Sequence, residues 1–232
     1  MRLCKIDALR GITLISMIAY HTMWDLVYLY DLDIPWYGNT PGFIWQQSIC
    51  WTFILLSGFS WNLGHHHLKR GLTVFISGAL ITLVTLLFMP DEVVWFGILT
   101  FIGTSMLLMI PIDRVLSSAG SPAIYTLIPV SFLLFLVTKR VYYSSFPGGN
   151  YLTAFLGFPF PGFFSTDYFP VIPWFFLYLT GYLISRVFPV STKNPLQKSI
   201  CPPLEFIGRH TLIIYMLHQP VIYGMMQFVF RT

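Results

Sequence analysis

Long apolar runs separated by short polar segments make up most of the chain. These runs approach the roughly 20 residues that an α-helix needs to cross the hydrocarbon core of a bilayer. Helices are expected because lipid cannot satisfy free backbone groups and because the runs are too long for barrel strands. The pattern predicts an all-α integral membrane protein, a bundle of about seven transmembrane helices in one domain of residues 1–232. The predicted helices cover residues 8–30, 42–63, 71–89, 93–111, 121–138, 169–188 and 205–230.

The composition agrees with a surface that faces lipid. The chain is 56% hydrophobic and 9% charged, whereas a soluble domain carries about 25% charged residues. The start resembles a signal peptide, because Arg2 and Lys5 precede an apolar run. Arg10 interrupts that run and no small-residue cleavage site follows, so the segment is predicted to remain as the first span. Neither a disulfide framework nor a metal-binding spacing is expected from Cys4, Cys50 and Cys201.

Basic residues are distributed unequally between the two sides of the predicted bundle. With a cytoplasmic N-terminus and an outer C-terminus, most of the 13 basic residues fall on the cytoplasmic side. This distribution follows the positive-inside rule and explains the net charge of +4 without a nucleic-acid partner. A multi-pass protein of the cell inner (plasma) membrane is therefore predicted. The cytoplasmic set is Arg2, Lys5, Arg10, Lys69, Arg70, Arg114, Arg186, Lys193, Lys198 and Arg209, and the outer set is Lys139, Arg140 and Arg231.

One outer connection, residues 139–168, is long, nearly uncharged and rich in glycine, proline and phenylalanine. Such a segment is poorly suited to water. It is expected to enter the membrane interface or to fold over the mouth of the bundle as a lid, and the alternative is a poorly ordered interface loop. An outer aromatic belt is predicted at Trp24, Tyr28, Trp36, Tyr37, Tyr142, Tyr143 and Tyr151.

The first span carries ionisable residues on one side. His21 and Asp25 are four residues apart and share a helix face. Arg10 returns to within roughly 20° of the same direction, so a polar stripe runs from Asp7 to Asp25 and should face the bundle interior. Ionisable groups inside a span indicate function by default. The alternative is a structural clamp between helices, with hydrogen bonds of roughly 1 kcal/mol or less.

The last span places His218 and Gln219 at mid-depth, just before Pro220, with Tyr215 one turn earlier. The alternative is that His218 only satisfies backbone carbonyls freed by the proline. Haem ligation by two histidines is disfavoured, because each comes from a different helix without a second pair.

Two further polar segments lie at the predicted ends of spans. The consecutive His65, His66 and His67 would point about 100° apart on a helix, which is a weak metal signal, and this basic turn could contact lipid headgroups or ligand phosphates. At the outer end of the sixth span, Pro170 and Pro173 predict a rigid, partly unwound entry. Asp167 there could bind a cationic or hydroxylated substrate, or it could cap the helix.

The segments IDALRGITLISMIAYHTMWDL, FILLSGFSWNLG, LKRG, VVWFGILTFIGTSMLL, DYFPVIPWFFLYLTGYLISR and IGRHTLIIYMLHQPV follow in this order. With them the chain resembles the bacterial DUF1624 proteins. These are similar to the catalytic domain of heparan-alpha-glucosaminide N-acetyltransferase, within a broader superfamily of transmembrane acyltransferases. The resemblance spans nearly the whole chain, and DALRG followed by YH is its most specific part.

The resemblance implies an enzyme that moves an acyl group, with acetyl as the expected group, from cytoplasmic acyl-CoA to an amine or hydroxyl, often of a sugar, on the far side. Acyl-CoA would be a co-substrate, with no tightly bound cofactor and no metal. The family's catalytic histidine in an outer loop has no counterpart in residues 31–41, so His21 would serve instead. Thr100 stands where many relatives are expected to have histidine.

The polar stripe of the first span and the family resemblance together predict a candidate site. His21 would act as general base and Asp25 would orient its ring. His218, Gln219 or Tyr215 would polarise the thioester carbonyl. The predicted acyl-CoA-binding residues are Arg10, Lys69, Arg70, Arg209 and His210. The predicted acceptor-binding residues are Asp167, Tyr168, Trp174, Tyr215 and Gln219. The competing functions are a proton-coupled transporter or channel for a small polar solute and a structural or regulatory membrane protein. The bundle could stand alone or form a homodimer.

Overall fold

The computed structural model describes residues 3–141, 145–188 and 195–230. Within these ranges the chain is helical, without strands, and all seven predicted runs form helices. The helices are α1 Cys4–Tyr28, α2 Thr40–Trp61, α3 His67–Phe88, α4 Ile98–Leu116, α5 Ser121–Val141, α6 Tyr151–Leu156, α7 Val171–Val187, α8 Pro202–Arg209 and α9 Thr211–Phe230, with short 3-10 helices at Pro90–Glu92 and Pro195–Gln197. Outside the described residues lie Arg2, Tyr142, Tyr143, Lys193 and Arg231.

Among the described residues, four helices are long and apolar enough to cross a bilayer: His67–Phe88, Ile98–Leu116, Ser121–Arg140 and Thr211–Phe230. The helix α7 is apolar but shorter. Large apolar side chains point outward from these helices; Phe88 is 78% exposed and Phe228 is 82% exposed. Apolar surface costs about 25 cal/mol per Å² in water, so these faces belong in lipid. The chain is an all-helical membrane protein, and the number of seven spans stays a prediction.

The fold divides into two compact units. Unit 1 consists of Met1–Phe53 and Val190–Thr232, and unit 2 is Ile54–Pro189. In unit 1, α1 packs against α8 and α9. In unit 2, α3 packs against α4 and α5 packs against α7. The polar stripe of α1 therefore faces C-terminal helices that are remote in sequence.

The prediction of one continuous helix over 205–230 is wrong. The chain leaves helical geometry at His210, where φ is −100° and ψ is 21°. The hydroxyl of Thr211 donates to the carbonyl of Gly208 at 2.7 Å, which ends α8 and starts α9. The break lies directly after the segment in which α8 packs against the first turns of α1, at Asp7 and Gly11.

Two glycines allow α8 to lie close to α1. A Cβ atom on Gly11 would be 2.1 Å from the carbonyl oxygen of Leu204. A Cβ atom on Gly208 would be 1.8 Å from the carbonyl oxygen of Asp7. Real Cβ atoms do not approach backbone so closely, so this crossing requires glycine on both helices.

The acidic residue of α8, Glu205, is turned inward. Its Oε1 accepts hydrogen bonds from the Ser199 hydroxyl at 2.7 Å and from the backbone N–H groups of Ile200 at 3.1 Å and Cys201 at 3.3 Å. These donors hold the pKa of the Glu205 carboxyl below its ordinary value. Glu205 thereby fixes the segment that leads into α8.

The fourth predicted helix begins five residues too early, at 93 instead of Ile98. Phe96 has a positive φ of 55° and Gly97 is extended, so the chain cannot be helical before Ile98. Residues 145–170 explain this geometry, because they pack on the same stretch. The N–H of Thr166 donates to the carbonyl of Val93 at 3.2 Å, and the N–H of Phe169 donates to the carbonyl of Phe96 at 2.9 Å.

The long connection between α5 and α7 is folded over its described part. It contains α6, whose N-terminus is capped by the side chain of Asn150. The hydroxyl of Tyr168 donates to the carbonyl of Ala154, which ties the end of the segment to α6. This matches a folded segment and not a poorly ordered loop, and the role of a lid stays a prediction. The partly unwound entry is also confirmed, since Ile172 is non-helical with φ −98° and ψ 127°.

Candidate active site

Polar residues of α1 lie along one side of the helix. Arg10 Nη1 and Asp7 Oδ1 are 3.1 Å apart. Further along the stripe, Leu14 and Asp25 are completely buried and His21 is half-buried. The end of the stripe that carries His21 and Asp25 therefore faces the interior of unit 1, where α9 packs against α1.

His21 of α1 meets His218 of α9. Their ring centroids are 4.9 Å apart, with 55° between the ring planes. The ring of Tyr215, one turn before His218, lies 5.1 Å from the His218 ring. Three residues of the predicted site are thus neighbours, although they come from opposite ends of the chain.

A backbone carbonyl holds the His218 ring in one orientation. Its Nδ1 is hydrogen-bonded to the carbonyl oxygen of Tyr215. Because a carbonyl only accepts, this geometry assigns the hydrogen to Nδ1, and the lone pair of the neutral ring then lies on Nε2. That Nε2 atom is buried and has no hydrogen-bond partner among the described residues. A proton acceptor is therefore left unused by the protein.

Pro220 does not account for this contact. A proline in a helix removes the hydrogen bond to the carbonyl four residues earlier, which here belongs to Met216. The His218 ring approaches the carbonyl of Tyr215 instead. The alternative that His218 only replaces the bond lost at Pro220 does not fit this geometry.

Asp25 is bonded to Gln219 and not to His21. Gln219 Nε2 donates to Asp25 Oδ1 at 2.8 Å. Asp25 Oδ2 and Gln219 Oε1 are buried without partners among the described residues. The predicted hydrogen bond by which Asp25 would orient His21 is absent from the described residues, so that prediction is wrong. The reason is that α9 packs across the same side of α1 and brings the Gln219 amide to the carboxyl group.

Aromatic residues border the His21 side of α1. The Tyr20 ring lies 6.1 Å from His21, 5.0 Å from Tyr37 and 5.2 Å from Trp45. The Tyr37 hydroxyl donates to the carbonyl of Tyr20 at 3.0 Å, and Tyr37 is only 3% exposed. Burial raises the pKa of this hydroxyl, so it remains a donor. The sequence placed Tyr37 in the outer aromatic belt. In the structure Gly42 packs closely on it, since a Cβ on Gly42 would be 1.8 Å from the Tyr37 carbonyl oxygen.

In unit 1, two predicted acyl-CoA-binding residues flank the break between α8 and α9. Both are exposed. The Arg209 guanidinium lies 5.8 Å from the centre of the Phe206 ring, and His210 Nδ1 is 2.8 Å from the Phe206 carbonyl oxygen. They form a basic, exposed end of unit 1 directly before α9, the helix that carries His218.

In unit 2, the other predicted acyl-CoA-binding residues, Lys69 and Arg70, are exposed in the first turn of α3. The Arg70 guanidinium lies over Gly64, where a Cβ would be 1.5 Å from Nη1. The His67 ring is stacked on Trp61 at 3.8 Å. In the described ranges, no group of three or more His, Cys, Asp or Glu side chains could hold a metal ion.

Asp167 caps a helix, but not the predicted one. Its Oδ2 accepts from the N–H of Ile98 at 3.2 Å, at the start of α4, whereas the sequence suggested a cap on α7. The fold of residues 145–170 carries the carboxyl group back to α4, beside Gly97. Burial raises the pKa of Asp167 to about 6, against the opposing effect of this hydrogen bond. The predicted role in acceptor binding stays a prediction.

The raised pKa of Asp167 gives a pH prediction. A carboxyl group whose pKa is higher in the folded state favours folding at low pH, and this contribution is lost as the pH rises from about 4 to about 6. Asp167→Asn keeps an oxygen acceptor for Ile98 but does not titrate. Between pH 4.5 and pH 7, the melting temperature of the native protein should therefore fall more than that of Asp167→Asn, measured in the same detergent. Parallel pH profiles of the two proteins would contradict the assignment.

Trp174 is a buried part of unit 2. It is 5% exposed, its ring lies 4.9 Å from Phe169, and Lys139 Nζ is 4.8 Å from the ring centre. Its Nε1 has no partner among the described residues. Tyr168 is engaged by the carbonyl of Ala154. The acceptor-binding role of Trp174 and Tyr168 stays a prediction.

A polar cluster in unit 2 was not predicted. Tyr182 is completely buried and donates its hydroxyl to Asp113 Oδ1, while Arg186 Nη1 donates to the Tyr182 oxygen at 3.2 Å and lies 3.6 Å from Asp113. The sequence offered only a weak signal, an acid near the end of one span and a base at the end of another. The cluster joins α4 to α7. In the same unit the buried Thr100 packs against Gly78 of α3, where a Cβ would be 2.4 Å from the Thr100 nitrogen.

No curated protein and no solved structure matched the chain. One protein family matched, described as heparan-alpha-glucosaminide N-acetyltransferase, catalytic, and the match covers residues 2–220. It includes both histidines of the pair, Asp25 and Gln219. The chain therefore belongs to the heparan-alpha-glucosaminide N-acetyltransferase catalytic family, a family of membrane acetyltransferases.

Proposed function

We propose that the protein transfers an acetyl group from cytoplasmic acetyl-CoA to an amine or hydroxyl group, in particular of a sugar, on the extracytoplasmic side of the cell inner membrane. The observation that carries the proposal is the pairing of His21 with His218 in a chain of this family. A seven-span topology with a cytoplasmic N-terminus would place this pair within the membrane and Arg209 on the cytoplasmic side. Acyl-CoA is then within reach from one face and the acceptor from the other.

The orientation of His218 favours it as the general base. Its unpartnered Nε2 can take a proton from the acceptor as the acceptor nitrogen or oxygen attacks the thioester carbonyl. The carbon–sulfur bond then breaks, and the proton passes from His218 to the CoA thiolate. His21, with its ring 4.9 Å away, is placed to donate a hydrogen bond to the carbonyl oxygen. These roles reverse those expected from the sequence, because the Tyr215 carbonyl assigns the His218 tautomer.

The cationic end of unit 1 is proposed to hold the phosphates of CoA. Arg209 and His210 are exposed there, and a guanidinium matches phosphate geometry. Arg10 lies on the same side of α1 as the histidine pair and is paired with Asp7. The role of Lys69 and Arg70 of unit 2 in binding acyl-CoA stays a prediction from the sequence.

Arg209→Gln is expected to raise KM for acetyl-CoA about tenfold or more, because a hydrogen bond to a charged group contributes about 1.5–3 kcal/mol. The KM for the acceptor should stay within about twofold. Steady-state kinetics with each substrate varied in turn measures both values. Equal increases in the two KM values would remove Arg209 from the CoA site.

The experiment for the proposed function uses purified protein and radiolabelled acetyl-CoA with a panel of amines, sugars and amino sugars. Acetyl transfer to a member of the panel supports the proposal. The second candidate, a proton-coupled transporter for a small polar solute, is favoured only by the buried atoms without partners at Asp25 and Gln219. Solute uptake into proteoliposomes without turnover of acetyl-CoA would establish that candidate instead.

A further inference from the structure

Asp25 and Gln219 join the same two helices as the histidine pair. Asp25 lies one turn after His21 on α1, and Gln219 directly follows His218 on α9. The carboxyl–amide hydrogen bond is 2.8 Å long, and the histidine rings are 4.9 Å apart. The two contacts therefore lie next to each other where α9 crosses α1.

We infer that Asp25 and Gln219 are positioning residues, whose hydrogen bond sets the register of α9 against α1 and thereby the approach of His218 to His21. The inference rests on the proposed function, because it assigns the acetyl transfer to those rings. The sequence placed Asp25 among the catalytic residues and Gln219 among those that bind the acceptor. The observed hydrogen bond gives both of them a different task.

The carboxyl group is suited to this task because Gln219 supplies its only side-chain hydrogen bond among the described residues. Asp25 is completely buried, its Oδ1 accepts from Gln219, and its Oδ2 has no partner among the described residues. A buried polar group in a bilayer finds no water to replace a lost donor. Separation of the two helices at this point would leave the carboxyl group unpaired, so the hydrogen bond opposes sliding.

Small shifts along this crossing matter for the chemistry. One residue of an α-helix rises about 1.5 Å. A general base must lie within about 2.6–3.2 Å of the atom whose proton it takes. A shift of one residue between α1 and α9 would therefore move His218 out of reach of an acceptor held by the rest of the site.

The kinetic test separates positioning from chemistry. Asp25→Asn keeps the Oδ1 acceptor for Gln219 but cannot exchange a proton, whereas Asp25→Leu and Gln219→Leu remove the hydrogen bond. The leucine variants should lose kcat by about tenfold or more, while KM for acetyl-CoA changes by less than about threefold. Asp25→Asn should recover most of kcat. Loss of kcat in Asp25→Asn equal to that in Asp25→Leu would show Asp25 in the chemistry and overturn the inference.

A distance measurement tests the same inference without activity. Spin labels at exposed positions, Ile15→Cys on α1 and Val221→Cys on α9, report the register in protein whose native cysteines are replaced by serine. The Asp25→Asn protein should keep the native distance distribution, and the leucine variants should show a shifted or broadened one. Native distances in the leucine variants would overturn the inference. If native protein transfers no acetyl group at all, the proposed function fails while this distance comparison still decides the register.

A fourth variant covers the case in which the leucine variants do not fold. Asp25→Asn combined with Gln219→Glu exchanges the amide and the carboxyl group across the same contact. This pair can form the same kind of hydrogen bond, so it should keep the native distances and more kcat than Gln219→Glu alone, in which two carboxyl groups meet. An exchanged pair no better than Gln219→Glu alone would contradict the positioning role.

Discussion

Replacing His218 by glutamine is expected to lower kcat for acetyl transfer by about 10²–10⁴-fold, the usual contribution of a general base. The neutral ring presents a lone pair at Nε2, because Nδ1 donates to the carbonyl of Tyr215. Glutamine is polar and of similar length, but its amide does not accept a proton at neutral pH. The KM for acetyl-CoA should change little, since the exposed cations of α8 lie elsewhere in the chain. Steady-state kinetics with labelled acetyl-CoA measures the effect.

The matched control is His65→Gln, the same substitution at an exposed histidine of the turn before α3. It should leave kcat within about twofold of the native value. Both variants should elute and melt like native protein, because neither change removes a large apolar contact. An active His218→Gln protein would exclude His218 as the base.

Gly208→Ala is expected to destabilise unit 1. The new Cβ would lie 1.8 Å from the carbonyl oxygen of Asp7 and 3.0 Å from the nitrogen of Gly11. Both atoms belong to the backbone of α1, so neither can move aside as a flexible side chain could. Overpacking of this kind costs about 1–3 kcal/mol, and more where backbone must shift. The expected result is a lower melting temperature in detergent and a lower yield of monodisperse protein.

Gly224→Ala is the control for this prediction. It adds the same methyl group to a helical glycine of the same unit, but nothing lies within 4 Å of the new Cβ. Alanine favours a helix over glycine by about 1 kcal/mol, so this variant should melt at the native temperature or higher. Equal melting temperatures for the two variants would mean that α8 does not pack on α1 as described.

The helices were largely predictable because lipid-facing segments carry a continuous apolar signal. All seven runs are helical, and α5 begins at the predicted residue, Ser121. The errors occur where tertiary packing decides the backbone. The break at His210 follows from the docking of α8 on α1, and the late start of α4 follows from residues 145–170, which pack on Val93 and Phe96. The hydrophobic periodicity of a segment does not show which distant segment will pack against it, so neither error could be avoided from the sequence.

The candidate site was predictable as a list of residues but not as a network. His21, Asp25, His218 and Gln219 were identified because polar groups are rare in apolar helices. Which of them would meet depends on how α9 crosses α1, and the sequence suggested His21 with Asp25 where the structure pairs Asp25 with Gln219. Tyr37 was assigned to the wrong environment for a similar reason, since an aromatic residue in a short loop gives no sign of burial.

The proposed role of the histidine pair is the transfer of acetyl groups across a membrane. The most direct measurement uses sealed vesicles that contain the protein, with labelled acetyl-CoA on the cytoplasmic side only and an amino sugar on the other side only. Native protein should form labelled, acetylated sugar on the acceptor side, and His218→Gln should form this product at least about 100-fold more slowly. Product formed at the native rate by His218→Gln, or found only on the side that holds acetyl-CoA, would contradict this role.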